Sequence, residues 1–297
     1  MSEPSNSVTG LSQIVRRELN NQPVTNMKNL NTKLIAVLIL GIGYLGQNNT
    51  SGSFASEVID YNPGNLPASL DSYKDPQAAL GEPSRVTPGD YGGPVDPFSP
   101  PYLSSQVVAI GSGGHLTVRL SAPAKNDPLN PFGLDFIIFG NAGFIITNGN
   151  YTGGGITDGS LFGANAGTTI VEVSQDNTKY YQLNSALAPV VDGLFPTDGS
   201  GDFSIPVDPS LKSSDFSGKD LKGIRSLYNG SGGGTGFDIA WTGIQDLTEI
   251  NYIRVSVVDG HSEIDGFSTV AAVPEPTSWL LLTIGLGLVF NKKYLVR

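Results

Sequence analysis

Short runs in which apolar and polar residues alternate dominate the chain between residues 56 and 273. The segment HLTVRL places Leu116, Val118 and Leu120 on one face of a strand, with Thr117 and Arg119 on the other. Alternation with a period of two is the pattern of a strand that buries one face. TTIVEVS and NYIRVSVVDG alternate in the same way, whereas DFIIFG is a continuous apolar run typical of a central strand.

Glycine and proline separate these runs and set the expected fold class. The chain contains 38 Gly and 20 Pro, and most of them lie between residues 56 and 273, where they mark turns. No stretch of this region shows sustained helical periodicity, although KDPQAALG is predicted to form one helical turn, and GFSTVAAV closes the region as a last strand. Many short strands joined by such turns predict an all-β fold, a β-sandwich or jelly roll.

An apolar segment near the N-terminus has the layout of a secretory signal peptide. Lys28 and Lys33 precede an uncharged run from Leu34 to Leu45, and Ser53 and Ala55 supply small residues at the −3 and −1 positions of a cleavage site. We therefore predict a signal helix within residues 27–55, with cleavage after Ala55. Residues 1–26 are polar, and we interpret them as an extension that results from a start codon assigned upstream of the true start at Met27. The alternative is that they form an unusually long N-terminal region of the signal peptide.

A second apolar segment lies at the C-terminus. Thr277–Phe290 carries no charge and, as a helix, would span roughly 20 Å, which is short of the ~30 Å hydrocarbon core of a bilayer. The basic tip, Lys292 to Arg297, is expected to stay on the cytoplasmic side. Pro274 and Pro276 prevent the helix from continuing into the preceding domain. The pattern predicts a transmembrane-type helix within residues 274–297, and a buried C-terminal helix is the alternative.

The C-terminal pattern resembles a known sorting signal. Val273-Pro274-Glu275-Pro276 is followed by the apolar stretch from Trp279 to Phe290 and then by Asn291-Lys292-Lys293. Together with the export signal, this order resembles the PEP-CTERM proteins of Gram-negative bacteria. The resemblance implies that Pro274, Glu275 and Pro276 form a motif recognised by the membrane protease exosortase. It also implies a transient inner-membrane anchor, removal of the tail, and delivery to the cell surface or outside the cell.

The order of segments between the two ends carries a second resemblance. DPQAALGEP, VVAIGSGGHLTVRL, DFIIFGNAGF, IVEVSQDNTKYYQL, GTGFDIA and YIRVSVVDG follow the order of a group of bacterial cell-surface proteins that resemble galactose-binding-like jelly rolls. That group has a second acid near the sequence GFDLDAV, where this chain has GFSTV, preceded by Asp265. The resemblance implies a jelly roll and carries no shared activity.

Charge and composition argue against some classes of binding partner and some kinds of chemistry for the region 56–273. Three of the 27 acidic residues and seven of the 17 basic residues lie outside it, which leaves a net charge of −14. Such a charge repels nucleic acid and anionic lipid. The absence of cysteine from the whole sequence excludes a disulfide framework and thiol catalysis. At about 220 residues, the region is long enough for one domain with a substantial core.

Motifs for catalysis are scarce. The chain has no G-x-S-x-G, and its two histidines are His115, predicted to open a strand, and His261, predicted to lie in the loop DGHSEID. The stretch DGSGD, from Asp198 to Asp202, lacks the Gly and Glu spacing of an EF-hand and is predicted to be a solvated turn. We therefore predict a non-catalytic protein. A glycosidase that uses two distant carboxylates remains the alternative.

The acidic loops favour calcium as a cofactor. Ca²⁺ prefers six to eight oxygen ligands from carboxylates, amides and backbone carbonyls. The alternative is that these side chains simply cap turns. The candidate ligands share positions beside predicted strands and are Asp75, Asp135, Asn141, Asp238, Glu263 and Asp265.

Aromatic residues in turn-rich stretches favour carbohydrate binding, because an aromatic ring packs well on the apolar face of a sugar. Core or strand-edge positions are the alternative for each of them. The candidates are Tyr91, Tyr102, Tyr151, Tyr228 and Trp241. The sequence thus predicts an exported surface or extracellular-matrix protein that contacts exopolysaccharide without catalysis. The alternative is a secreted hydrolase acting on polysaccharide.

Overall fold

The computed structural model describes residues 52–164 and 167–271. The N-terminal extension, the signal peptide up to residue 51, and the tail containing Pro274, Glu275 and Pro276 lie outside the described residues. The described region is dominated by β-strands, so the predicted all-β class is confirmed.

The described region contains sixteen strands, two α-helices and four 3₁₀ turns. The strands are β1 (Ala55–Asn62), β2 (Val86–Thr87), β3 (Gly93–Pro94), β4 (Val108–Gly111), β5 (His115–Lys125), β6 (Phe136–Phe139), β7 (Gly143–Phe144), β8 (Ile156–Thr157), β9 (Leu161–Phe162), β10 (Thr168–Ser174), β11 (Tyr181–Gln182), β12 (Lys219–Asp220), β13 (Thr235–Phe237), β14 (Glu249–Asp259), β15 (His261–Ile264) and β16 (Gly266–Thr269). The helices are α1 (Ser213–Phe216) and α2 (Leu221–Tyr228), and the 3₁₀ turns are Ala68–Leu70, Pro76–Ala79, Pro131–Gly133 and Ile239–Thr242.

Five antiparallel strands form the largest sheet, in the order β1-β5-β14-β10-β11. The register places Val118 of β5 opposite Ile253 of β14, and Leu116 opposite Val255. All four side chains are buried, as the alternation in HLTVRL and NYIRVSVVDG predicts. One face of this sheet therefore supplies much of the core.

A three-stranded antiparallel sheet, in the order β13-β6-β16, also contributes side chains to the core, and β15 pairs separately with β4. All four residues of β6 are buried, which confirms the interpretation of DFIIFG as a central strand. The main core cluster combines Phe136, Ile138 and Phe237 from this sheet with Leu116 and Val255 from the large one. Both sheets therefore bury apolar residues in one shared core.

The outer face of the large sheet is more covered than the alternation predicts. Thr117, expected to face solvent, is fully buried. Its Oγ1 accepts a hydrogen bond of 3.0 Å from Nε of Arg254, and the Arg254 guanidinium lies 3.7 Å from the centre of the Tyr180 ring. A long cationic side chain thus shields a small polar one, which residue periodicity alone does not reveal.

Two local predictions were wrong. Helix α2 lies where no helical periodicity was recognised, and it buries Ile224 and Tyr228, which are four residues apart on one face. Asp220 caps its first turn by accepting a hydrogen bond of 2.8 Å from the Gly223 amide. The segment around His261, predicted to be a loop, forms strand β15. The predicted turn in KDPQAALG is confirmed as the 3₁₀ turn Pro76–Ala79.

Residues 52–55, assigned by the sequence to the signal peptide, pack into the domain. The backbone amide of Thr269 donates to the Ser53 carbonyl at 2.8 Å, and the Ser53 amide donates to Oγ1 of Thr269 at 2.9 Å. Phe54 packs against a core cluster, and Ala55 is a buried residue at the start of β1. Cleavage after Ala55 would remove these contacts.

Candidate functional site

The six predicted calcium ligands do not converge on one point. Asp135 lies directly before strand β6 and Asn141 lies two residues after it, so roughly 20 Å of extended chain separates them. Glu263 and Asp265 lie near Asn141, whereas Asp238 lies near Asp135.

Asp75 and Asp238 cap short turns, the alternative given for each of them. Asp75 is exposed and accepts a hydrogen bond of 3.0 Å from the Gln77 amide at the start of a 3₁₀ turn. Asp238 accepts one of 2.7 Å from the Ala240 amide in the same arrangement. Both carboxylates satisfy amides that the first turn leaves without a backbone partner.

Asp135 is a buried organising residue. Its Oδ1 accepts hydrogen bonds of 3.0 Å from the Asp127 amide and from Nδ2 of Asn130, and its Oδ2 accepts one of 2.8 Å from the Ile239 amide. Burial raises the pKa of Asp135 to about 6, against the lowering effect of these donors. The carboxylate therefore ties a loop and a 3₁₀ turn to the start of β6.

Asp265 is also held by protein donors. Its Oδ2 accepts a hydrogen bond of 2.8 Å from the Ser84 amide, and its Oδ1 accepts one of 2.6 Å from Oγ of Ser84. Burial raises the pKa of Asp265 to about 7. As predicted, Asp265 lies directly before the last strand, β16.

Asp192 was missed by the sequence analysis. It is 4% exposed and adopts a left-handed backbone conformation with φ 60°. Its Oδ1 accepts a hydrogen bond of 2.8 Å from the Ala142 amide, while its Oδ2 has no hydrogen-bond partner in the described part of the chain. Burial raises the pKa of Asp192 well above its usual value, and the nearby charges of Glu263 and Asp265 raise it further, against the lowering effect of the backbone amides of Ala142 and Asn141.

The backbone is shaped to admit this carboxylate. A Cβ atom on Gly140 would lie 2.1 Å from Oδ1 of Asp192, so the site requires glycine there. The sequence signal for Asp192 was the Asp192-Gly193 pair, a common turn dipeptide that by itself indicates no buried acid.

Asn141 and Glu263 complete this group of side chains. The Asn141 side chain hydrogen-bonds Glu263, which partly offsets the effect of burial in raising the pKa of Glu263. Oδ1 of Asn141 is buried and has no hydrogen-bond partner among residues 52–164 and 167–271. Asn141, Asp192, Glu263 and Asp265 are hereafter called the Asp192 cluster.

The two histidines lie on separate strands. His115 opens β5 as predicted, and its Nε2 lies 2.7 Å from Oδ2 of Asp60 on the neighbouring strand β1. His261 and Glu263 alternate with Ser262 along strand β15, so Ser262 points to the opposite face. The neighbouring hydroxyl and imidazole therefore do not form a nucleophile and base pair.

DGSGD forms the predicted turn, with Ser200 and Asp202 exposed, but its first acid is not solvated. Asp198 is buried, and its carboxylate accepts hydrogen bonds of 2.7 Å from Nε and 3.0 Å from Nη2 of Arg225 on helix α2. The same carboxylate accepts from the amide and hydroxyl of Ser200. The acidic stretch is thus an anchor for α2, and the cation that pairs with it lies 27 residues further along the chain.

Aromatic residues line an open groove of about 410 Å³. We name it the tyrosine groove and define it by Thr87, Tyr91, Asp96, Phe98, Tyr102 and Phe162. The Tyr102 hydroxyl donates to the Tyr91 carbonyl at 3.2 Å, and the Tyr73 hydroxyl donates to the Tyr102 carbonyl at 2.6 Å. These bonds link the segments that carry the two groove tyrosines.

Polar groups of the tyrosine groove complement its rings. Oδ1 of Asp96 accepts hydrogen bonds of 2.8 Å from the Phe98 amide and 3.0 Å from the Ser99 amide. Burial raises the pKa of Asp96. Oγ1 of Thr87 is buried without a partner among the described residues. The groove therefore offers flat apolar surfaces together with the partly buried carboxylate of Asp96, whereas the Thr87 hydroxyl is buried beneath the groove surface.

The five aromatic candidates divide between this groove, the core and the open surface. Tyr91 is 95% exposed and lines the groove with Tyr102. Tyr151 is 76% exposed and lies outside the groove lining. Tyr228 is buried and Trp241 packs against core residues, which is the alternative stated for both. Sequence alone did not identify Phe98 and Phe162 as partners of the tyrosines.

Comparison with known proteins adds no assignment. No family model matches the chain, and no curated protein matches it.

Within residues 52–164 and 167–271, no three His, Cys, Asp or Glu side chains converge closely enough to hold a metal ion by themselves. Over the same residues, no helix has the length and apolar character needed to cross a membrane.

Proposed function

We propose that the protein is an exported, non-catalytic module that binds polysaccharide through the tyrosine groove, at the cell surface or in the extracellular matrix. The observation that carries this proposal is the meeting of Tyr91, Tyr102, Phe98 and Phe162 around one open concavity that also contains Asp96. Ligand sites combine apolar walls with a few placed polar groups, and this groove has both.

The chemistry of the groove suits a sugar. The C–H faces of a pyranose ring are apolar and pack on aromatic rings, while its hydroxyls need hydrogen-bond partners around the edge. Asp96 supplies an acceptor at the edge of these rings. The net charge of −14 on residues 56–273 repels acidic polymers, which favours a neutral polysaccharide.

A binding role is favoured over hydrolysis by the carboxylates of the groove. Glycosidases generally place two carboxyl groups across the scissile bond, about 5 to 9 Å apart. Among the described residues that line the tyrosine groove, Asp96 is the one carboxylate. The nearby Asp198 is buried and paired with Arg225, so it is not presented to a substrate.

The proposal extends to architecture and location. We infer a β-sandwich of jelly-roll type, because side chains from the five-stranded and three-stranded sheets share one core cluster. Export, a transient inner-membrane anchor and release by exosortase rest on the signal-like segment and on the Pro274-Glu275-Pro276 tail.

The test measures binding of the full-length chain, purified in mild detergent, to immobilised neutral glucans, galactans and mannans, and to alginate as an acidic polymer. We expect binding to at least one neutral polymer, with Tyr91→Ala weakening it about tenfold, equivalent to about 1.4 kcal/mol. Tyr151→Ala removes an exposed tyrosine outside the groove and should bind like the wild type. Equal affinities of wild type and Tyr91→Ala would contradict the assignment of the groove.

A further inference from the structure

The Asp192 cluster is assembled from three distant parts of the chain. Asn141 follows strand β6, Asp192 lies in the loop before α1, and Glu263 and Asp265 lie in and directly after strand β15. The Ala142 amide holds Asp192 beside Asn141, and the Asn141 side chain bonds Glu263. Asn141 therefore stands between two carboxylates contributed by separate segments.

Two oxygens of this cluster lack partners. Oδ2 of Asp192 and Oδ1 of Asn141 are buried and accept no hydrogen bond from any described residue. Only 4% of the Asp192 surface is exposed, so bulk water does not reach Oδ2 to replace the missing donor. A buried carboxylate oxygen without a donor or a cation is costly, so each such atom indicates a missing partner.

The surrounding charges do not supply that partner. The charges that act most strongly on Asp192 are those of Glu263 and Asp265, and both are negative. Asp265 is held by Ser84. The nearby charge of His261 acts on Glu263 and lowers the pKa of that carboxyl. Arg225 pairs instead with Asp198. The cluster therefore brings three carboxyl groups together where two acceptor oxygens have no partner among the described residues.

We propose that the Asp192 cluster binds one calcium ion through Oδ2 of Asp192, Oδ1 of Asn141 and the carboxylate of Glu263. Calcium takes six to eight oxygen ligands, so backbone carbonyls and water complete the shell. Two carboxylates and one amide suit this hard cation, whereas zinc prefers imidazole and thiolate ligands. The site joins the end of β6 to strand β15 and to the Asp192 loop, and it is independent of the tyrosine groove.

The amide of Asn141 has a defined double role in this site. Its nitrogen donates to Glu263, while its oxygen faces the cation, so the residue orients one ligand and supplies another. Asp192 likewise uses Oδ1 to bind the Ala142 amide and keeps Oδ2 for the ion. Asp265 lies next to this shell and is positioned by Ser84.

The test uses the full-length chain stripped of metal with EDTA and then titrated with CaCl₂ in a calorimeter. We expect one calcium per chain and a melting temperature roughly 5 to 10 °C higher in 1 mM Ca²⁺ than in EDTA, provided that the dissociation constant is about 10 µM. Magnesium should give a much smaller shift, because it requires a tighter octahedral shell.

Two variants locate the site. Asp192→Asn keeps an oxygen for the Ala142 amide and tolerates the left-handed backbone, but it should lose most of the calcium-dependent shift. Asp135→Asn is the matched control, a buried acid at the opposite end of β6, and should keep the shift. If Asp192→Asn fails to fold, Glu263→Gln replaces it. An absent shift in the wild type, or an undiminished shift in the cluster variant, would overturn the proposal.

Discussion

Single buried carboxylates organise the loops of this protein in place of disulfides. Asp135 binds the amides of Asp127 and Ile239 as well as the side chain of Asn130, so one side chain fixes residues more than 100 positions apart. Asp265 binds Ser84 across 181 positions, and Asp198 binds Arg225 across 27 positions. Hydrogen bonds offset the free-energy cost of burying each carboxyl group, so the loss of one hydrogen-bond partner lowers the stability of the folded state.

The raised pKa of Asp135 makes stability depend on pH in a defined direction. The folded pKa of about 6 lies above the ordinary value of 3.8, so the folded state holds this proton more tightly than the unfolded chain does. Stability from this group is therefore complete below about pH 4 and is lost as the pH rises through 6. The total loss is about 3 kcal/mol, because the pKa of Asp135 is about 6 in the folded state and 3.8 in the unfolded state.

Urea unfolding of wild type and Asp135→Asn at pH 4, 5, 6 and 7 measures this effect, because other titrating groups cancel in the difference. The free energy of unfolding of the wild type, relative to the variant, should fall across the series. A difference that is constant or rises with pH would contradict the burial of an ionisable Asp135.

At the scale of elements, the segment before β1 is part of the fold. Ser53 exchanges hydrogen bonds with Thr269 of β16, and Phe54 packs against a core cluster. Processing after Ala55 would cut a strand at its first residue and remove these contacts. We therefore expect the N-terminus of the exported protein, measured by mass spectrometry, to lie at or before Gly52.

A point variant tests the packing of this segment separately from processing. Phe54→Ala should lower the free energy of unfolding by about 2 kcal/mol, less than the 3 to 5 kcal/mol typical of a fully buried phenylalanine, since Phe54 is half-buried. Phe132→Ala, at a position 56% exposed, is the control and should change stability by less than about 0.5 kcal/mol. Equal effects of the two substitutions would show that Phe54 does not anchor the segment.

Element-level prediction succeeded where the signal is local and failed where it is not. Alternation in HLTVRL and the apolar run DFIIFG identify β5 and β6. Burial of one or both faces of a strand determines which residues along it are apolar, so the local sequence reports that burial directly. Strand β15 was missed because its buried residues include Ser262 and Glu263, whose burial depends on distant partners. Helix α2 is only eight residues long and contains Gly223, which weakens its helical pattern.

The candidate sites were less predictable for the same physical reason. Asp192 reaches its partners across 50 residues, and no local pattern reports that the Ala142 amide or Gly140 stands opposite it. Three of the six predicted calcium ligands do lie together in the Asp192 cluster, because β16, which Asp265 directly precedes, pairs antiparallel with β6, which Asn141 follows. The tyrosine groove brings Phe162 beside residues more than 60 positions earlier, a contact set by topology.

At the scale of the whole molecule, the two ends of the described chain meet. Ser53 and Thr269 are hydrogen-bonded although they lie 216 positions apart in the sequence. On the proposed function, an anchored tail would tether the domain by its C-terminal end until exosortase releases it. Release then depends on the Pro274-Glu275-Pro276 motif, since the rest of the tail is apolar and basic.

The sorting motif is tested by replacing its single charged residue. Glu275→Ala should leave export intact but keep the protein in the inner-membrane fraction, because the uncleaved tail of Thr277–Phe290 stays apolar. Fractionation of producing cells, with an antibody against the domain, measures the ratio of retained to released protein. Asp71→Ala, which removes an exposed carboxylate from the domain, is the control and should be released like the wild type. Efficient release of Glu275→Ala would contradict the interpretation of the tail as a sorting signal, while leaving the groove and the calcium site to their own tests.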